Sequence, residues 1–155
     1  MTTHLKIALL VCTATLAACG TASTDDTAAA DSAQSSTSSD SPLQRFAGDW
    51  HLRQWNTVGD TIPSLVLHAT ADTAGWTAKF PDRDPIPVRV VDASGDLVVT
   101  EMGPFPSVIR PGVQVTVQFV THLYGEELRG HLLAIYNVNG PSAILRGRTE
   151  GTRTQ

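Results

Sequence analysis

The chain has 155 residues, 17% of them charged, and a formal net charge of -4 at pH 7. Residues 43–155 hold ten Lys and Arg against eleven Asp and Glu, so this part of the chain is nearly neutral and has no Lys- or Arg-rich run. A strongly basic surface is the electrostatic signature of nucleic-acid binding. We therefore expect no nucleic acid among its partners.

The N-terminus has the features of an export signal. Lys6 precedes an apolar run at residues 7–16 that is too short to cross a bilayer as a helix and ends in small residues. The ending Leu16-Ala17-Ala18-Cys19 resembles the lipobox of bacterial lipoproteins, in which the cysteine is lipidated and the chain is cleaved just before it. The resemblance implies that residues 1–18 are a cleaved signal peptide and that a lipid on Cys19 anchors the protein to a membrane. The alternatives are an ordinary secretory signal, which would leave Cys19 as a free thiol, and a start-site error with the apolar run buried.

The same resemblance carries an expectation about location. In double-membrane bacteria, a residue other than Asp after the lipidated cysteine favours the outer membrane, and Gly20 stands at that position. We therefore expect a lipid-anchored protein of the cell envelope, in the outer membrane and facing the periplasm. The sequence leaves open which membrane and which face it occupies.

Residues 20–42 contain no aromatic or large aliphatic side chain. Such a composition cannot repay the entropy of ordering, so we predict that residues 19–42 are the lipidated cysteine and a disordered tether. Residues 43–155 are then enough for one domain. Cys12 leaves with the signal and Cys19 is lipidated, so this domain has no disulfide and no cysteine ligand.

Short apolar and β-branched runs recur through the domain, separated by Gly, Pro, Asp and Asn, and no window of eleven or more residues keeps a helical period. The predicted strands lie at 49–57, 64–70, 75–80, 86–92, 97–102, 112–123, 127–137 and 143–150. Tight turns join most of them, which favours hairpins between neighbours. We expect an all-β, up-and-down antiparallel barrel of about eight strands, with a β-sandwich as the alternative.

One hairpin predicts which side chains share a face. A two-residue turn at 125–126 pairs Phe119 with Leu132 and Val115 with Tyr136 on one apolar face. We expect this face, together with Trp50, to line a dry interior. The residues that line the interior near Tyr136 are small, which leaves room for large side chains from across the barrel or for a ligand. They are Ala134, Ala143 and Gly147.

The start of the first strand resembles a known family. Gly48-Asp49-Trp50 is similar to the Gly-x-Trp start of lipocalins and lipocalin-like barrels. In that family the tryptophan plugs the closed end of the barrel, and an arginine from the last strand packs over it. The resemblance implies these roles for Trp50 and for Arg148, or Arg146. The family's usual disulfide and second motif are lacking, so we describe the domain as lipocalin-like.

No pattern in the domain points to catalysis. Its histidines have no metal-binding spacing, and its serines lie outside any Gly-x-Ser-x-Gly elbow. His122 and His131 fall diagonally on the outer face of the predicted hairpin, where a shared cation is the weaker alternative to two solvated side chains. We expect no enzyme activity, no metal and no cofactor.

The segment 101–112 is predicted to be the longest irregular piece. Three prolines stiffen it, yet it carries apolar residues. Phe105 and Ile109 are candidates for a lip over the barrel mouth, with Glu101 and Arg110 paired at its edge. A stiff crossover between strands is the alternative interpretation.

These observations predict a lipid-anchored, extracytoplasmic, non-catalytic binding protein for a small apolar ligand. The alternative is a structural or protein-interaction envelope lipoprotein with a filled barrel, whose partner is another envelope protein. An interior of a few hundred cubic ångströms would favour the ligand, and side-chain filling would favour the alternative. The candidate ligand-lining residues are Trp50, Phe105, Phe119, Tyr136 and Arg148. Ordinary packing is the competing role for each.

Replacing Cys19 tests the anchor. We expect intact-mass measurement of the protein from its own host to show a chain that starts at acylated Cys19. Cys19→Ser should keep residues 1–18 and carry no acyl mass, because the acylated thiol is missing. A wild-type chain that begins elsewhere, or that carries an unmodified thiol, would contradict the lipobox interpretation.

Overall fold

The structure, a computed structural model, describes residues 41–154. The predicted signal peptide, Cys19 and most of the predicted tether lie outside the described residues. Eight antiparallel strands follow one another around a closed barrel, and the last pairs with the first. The strands are β1 (Gly48–Asn56), β2 (Thr61–Ala69), β3 (Thr77–Lys79), β4 (Ile86–Ser94), β5 (Leu97–Pro106), β6 (Gln114–Tyr124), β7 (Glu127–Tyr136) and β8 (Ile144–Arg153). Short 3-10 helices precede β1 (η1, Pro42–Arg45) and β8 (η2, Pro141–Ala143).

The predicted architecture is confirmed, and the β-sandwich is excluded because the sheet closes on itself. The predicted hairpin register is also confirmed, since Phe119 lies opposite Leu132 and Val115 opposite Tyr136. Two strands run at least three residues past their predicted C-terminal ends. β5 continues to Pro106 and β8 to Arg153.

Burial follows the period of two expected for strands with one dry face. Phe119, Leu132 and Tyr136 are buried, and Trp50 is 0% exposed. The interior is therefore a continuous hydrophobic core. No helix in the described part of the chain is long and apolar enough to cross a membrane.

Pro63 accounts for one irregularity in the sheet. The register between β1 and β2 shifts between Leu52 and Gln54, opposite Pro63. Proline has no backbone N–H to donate to a neighbouring strand, so the regular ladder is interrupted there. Beyond the shift, Gln54 keeps its inward orientation and is buried.

A tryptophan and an arginine close the end of the barrel where β1 begins. The indole N–H of Trp50 donates to Phe46 O at 2.7 Å. The guanidinium of Arg153 lies 4.2 Å from the Trp50 ring. It also donates to Glu126 Oε2 at 2.5 Å, to Arg45 O at 2.9 Å and to the carbonyl of Ala47. Arg153 thus ties the end of β8 to the η1 segment.

The prediction that Arg148 or Arg146 packs over Trp50 is wrong. Arg153 is the partner of Trp50 in the β1–β8 register, whereas Arg148 pairs with Trp55 and lies 4.9 Å from its ring. The error came from ending the last predicted strand at residue 150. Three more residues of β8 bring Arg153, with its inward orientation, onto Trp50.

Replacing Arg153 and Arg148, two of the three arginines of β8, separates their roles. Arg153→Met should lower the free energy of unfolding by about 1–3 kcal/mol, because it removes a cation–π contact and the hydrogen bonds to the carbonyls of Arg45 and Ala47. Arg148→Met removes a contact on the outer face and should cost at most about 0.5–1 kcal/mol. Urea unfolding monitored by tryptophan fluorescence measures both. Equal losses would show that Arg153 does not hold this end together.

Candidate functional site

The end of the barrel opposite Trp50 carries the longer connections. The β3–β4 loop (80–85) and the β5–β6 loop (107–113) meet there, because Arg83 Nη1 donates to Pro106 O at 2.6 Å. The predicted placement of these two segments at one end is confirmed. We call this end, with the space beneath the 107–113 loop, the Tyr136 end.

Phe105 lies inside this end and not on a lip above it. It is 6% exposed, and its ring centroid lies 5.9 Å from that of Phe80. The predicted pair of Glu101 with Arg110 is also wrong, since Glu101 accepts from Arg89 at 2.8 Å. The reason is the continuation of β5, which turns Phe105 inward after a register shift that follows Met102. Within the predicted lip, Ile109 is exposed.

Arg110 covers the buried phenol at this end. Its guanidinium lies 4.0 Å from the Tyr136 ring and donates to Ser142 O at 2.5 Å. The Ser107 hydroxyl accepts from the backbone N–H groups of Ile109 and Arg110 at 3.2 and 3.0 Å, which shapes the loop. Both ends of the barrel are thus closed by an arginine over an aromatic ring.

Burial raises the pKa of the Tyr136 phenol above its ordinary value of 10.0. The charge of Arg110 and a hydrogen bond with Ser107 oppose this shift without cancelling it. The neutral phenol is therefore the form that the folded barrel favours.

Only small spaces remain in the described interior. A cavity of about 30 Å³ lies at the Tyr136 end, and a second of about 10 Å³ lies beside Phe119. The larger has the volume of about one water molecule. Side chains of Gln54, Ser107 and Tyr136 line it among apolar residues. The barrel is essentially filled by its own side chains.

Gln54 is a buried polar residue of this interior that was not predicted from the sequence. It is 3% exposed, and its Nε2 has no hydrogen-bond partner within the described residues. A buried amide left without a partner is costly, so a single water in the adjoining cavity is its simplest partner. The signal was available in the sequence, since strand alternation places Gln54 on the same face as Trp50 and Leu52.

The outer surface of β7, β8 and β1 carries a second cluster, which we call the arginine face. Its members are Arg53, Trp55, Arg129, His131, Arg146, Arg148 and Glu150. In the register, Arg148 stands between Trp55 and His131, and Glu150 stands between Arg53 and Arg129. Trp55 is half-buried beneath two guanidinium groups, those of Arg148 at 4.9 Å and Arg53 at 5.6 Å.

The candidate ligand-lining residues do not form one site. Phe105 and Tyr136 meet at the 30 Å³ cavity, while Phe119 lies beside the smaller one. Trp50 closes the opposite end, and Arg148 lies on the outer face. His122 and His131 share the outer surface as predicted, but no group of three or more His, Cys, Asp or Glu in residues 41–154 is placed to hold a metal ion.

No protein-family model, no curated protein and no solved structure matches the chain. The lipocalin-like resemblance therefore rests on the Gly48-Asp49-Trp50 motif and on the closed eight-stranded barrel.

The Tyr136 phenol predicts a loss of stability in alkali. Its folded pKa lies above that of the unfolded chain, so the unfolded state loses this proton first as the pH rises through about 10. The free energy of unfolding should then fall by up to about 1.4 kcal/mol per pH unit until the folded phenol ionises. Below pH 10 the phenol is protonated in the folded and the unfolded state, so it should not contribute to the pH dependence of the free energy of unfolding.

Tyr136→Phe should remove this part of the alkaline decline, as measured by urea unfolding at a series of pH values. Tyr124→Phe removes an exposed phenol and serves as the control, with a pH dependence like that of the wild type. If the Tyr136 variant declines as steeply as the wild type, the buried phenol is not the source.

Proposed function

We propose that this protein is a lipid-anchored, non-catalytic barrel of the bacterial cell envelope that works through its outer surface. The anchor is the lipid on Cys19 that the lipobox resemblance implies, and the outer membrane facing the periplasm is the location it favours. The folded domain serves as a rigid support for an interaction surface.

The observation that carries this proposal is the filled interior. Ligand pockets typically measure about 300–1,000 Å³, whereas the larger of the two cavities inside the barrel is about 30 Å³. Such a space takes one water but no organic ligand. An eight-stranded barrel is just wide enough for side chains to fill, and here they do so.

The arginine face is the surface that we assign to this interaction. It combines four arginines with a half-buried tryptophan, and two of them, Arg53 and Arg148, lie over its ring. Arginine and tryptophan are enriched in binding interfaces. The side chains of Arg53 and Arg129 are 60% and 61% exposed, so they are available to a partner.

A second candidate is the binding of a small apolar molecule that carries a hydrogen-bond acceptor. The observation in its favour is the unpartnered Nε2 of Gln54, which lies in a largely apolar cavity under the 107–113 loop. This function requires the loop to move outward, with Arg110 leaving Tyr136 and Ser142, to make room for the ligand.

Native mass spectrometry distinguishes the two candidates. For a filled barrel, protein extracted from its own host should carry no small molecule, and Gln54→Leu should leave the spectrum unchanged apart from the substitution. Gln118→Leu on β6 is the matched control. A bound molecule that is present in the wild type and in the Gln118 variant but lost in Gln54→Leu would overturn the filled-barrel proposal in favour of the ligand.

Photo-crosslinking in intact cells tests the surface itself. A photoreactive residue at position 131, on the arginine face, should form adducts because that face contacts the partner. The same residue at position 92, on β4, should form few. Equal yields from the two positions, or none from either, would contradict the assignment of the interaction to the arginine face.

A further inference from the structure

We propose that the arginine face lies against a bilayer containing anionic phospholipids, with Arg146 and Arg148 on the lipid phosphates and Trp55 at the level of the headgroups. This inference rests on the proposed function, because it names the partner of the same surface. It is carried by the distribution of charge, by the pairing of the carboxylates and by the apolar side chains beside the arginines.

Charge is unevenly distributed around the barrel. The half from β2 to β5 (residues 61–106) has six Asp and Glu against three Lys and Arg. The half formed by β6 to β8 and β1 (114–153 and 48–56) has four Asp and Glu against five Lys and Arg. A nearly neutral domain thus has one acidic side and one side with a slight excess of positive charge, which orients it toward an anionic surface.

The carboxylates of the positive half are all paired locally. Glu150 lies 3.8 Å from Arg53, Glu127 2.5 Å from Arg129, Glu126 2.5 Å from Arg153, and Asp49 2.7 Å from His68. Within residues 41–154, neither Arg146 nor Arg148 has a carboxylate within salt-bridge distance, and both are exposed. These two guanidinium groups are therefore free for an external anion.

Apolar side chains continue the face toward the Tyr136 end. Ile144 and Arg146 are successive outward residues of β8, and Ile135 lies directly opposite Ile144 on β7. Both isoleucines are exposed, at 45% and 49%. Exposed isoleucines beside arginines, with an indole nearby, suit the boundary between headgroups and acyl chains, where amphipathic side chains reside.

A membrane fits this face better than a free anion does. The guanidinium groups of Arg146 and Arg148 follow one another along β8, as suits many phosphates in one plane, and Arg148 shares with Arg129 a wide surface groove of about 660 Å³ that is open to solvent. An anionic leaflet attracts each nearby Lys or Arg and so suits a dispersed charge pattern. Lipidation at Cys19 would reinforce this contact by raising the local concentration of headgroups.

Vesicle flotation tests the proposal in the full chain carrying Cys19→Ser, which measures binding without the acyl anchor. The protein should float with vesicles of phosphatidylcholine containing phosphatidylglycerol, and less with phosphatidylcholine alone. Adding Arg146→Gln/Arg148→Gln should reduce partitioning onto the anionic vesicles about tenfold. High salt should reduce the partitioning of the Cys19→Ser protein with both arginines intact by a similar factor. The apolar run at residues 7–16 is present in every variant, so its contribution to vesicle binding is the same in each and does not affect the comparison.

The matched control is Lys79→Gln/Arg89→Gln, which removes the same charge from the acidic half and should change partitioning less than about twofold. Thermal unfolding of each variant establishes that it is folded. Equal partitioning of the two double variants, or no preference of the wild type for anionic vesicles, would overturn the proposal. So would binding to soluble heparin without binding to vesicles, which would assign the face to a polyanion.

Fluorescence locates the contact. Trp50 and Trp76 are 0% and 2% exposed, so Trp55 is the tryptophan that a bilayer can reach. Lipids brominated near the headgroup should quench wild-type emission on anionic vesicles, and Trp55→Phe should abolish that quenching. If quenching persists without Trp55, the face does not meet the membrane.

Different results would overturn membrane docking and the proposed function. Crosslinks from position 131 to a protein, with vesicle binding unaffected by Arg146→Gln/Arg148→Gln, would overturn membrane docking and leave the proposed function standing. Absence of any crosslink from that position would overturn both.

Discussion

Closure of the sheet between β1 and β8 is the constraint on which the rest of the structure depends. Seven residue pairs, from Trp50 with Arg153 to Asn56 with Gly147, turn a meander into a barrel and leave no free edge between its first and last strands. Gly147 permits the approach, because a Cβ there would lie 2.2 Å from Trp55 O. Closure also brings Arg148 beside Trp55, and so creates the outer cluster to which the proposed function is assigned.

The filled interior favours the proposed action at the outer surface over binding inside the barrel. Aromatic rings occupy the space that a ligand would need, and an arginine covers an aromatic ring at each end. Opening the Tyr136 end would break the contact of Arg110 with Tyr136 and its hydrogen bond to Ser142. The outer face needs no such rearrangement, since its charges and apolar side chains are already exposed.

Much of the architecture could be predicted because strand alternation and tight turns are local properties. The turn at 125–126 set the partners of Phe119 and Tyr136 without any long-range information. The position of the last strand's end is not local in this way, and misplacing it by three residues exchanged Arg153 for Arg148. Gln54 could be predicted only in part. Strand alternation indicates its inward orientation, but whether its amide has a hydrogen-bond partner depends on residues far away in the chain.

The sequence by itself determined an all-β meander with one dry face and the near-neutral charge of the domain, since periodicity and composition can be read without knowing which distant residues meet; the lipobox resemblance stays a prediction. Only the tertiary structure decided how large the interior is, which arginine covers which tryptophan, and that Arg146 and Arg148 have no carboxylate partner among residues 41–154. Those properties depend on the volumes and positions of side chains brought together from distant strands, and they exist only once the barrel has closed.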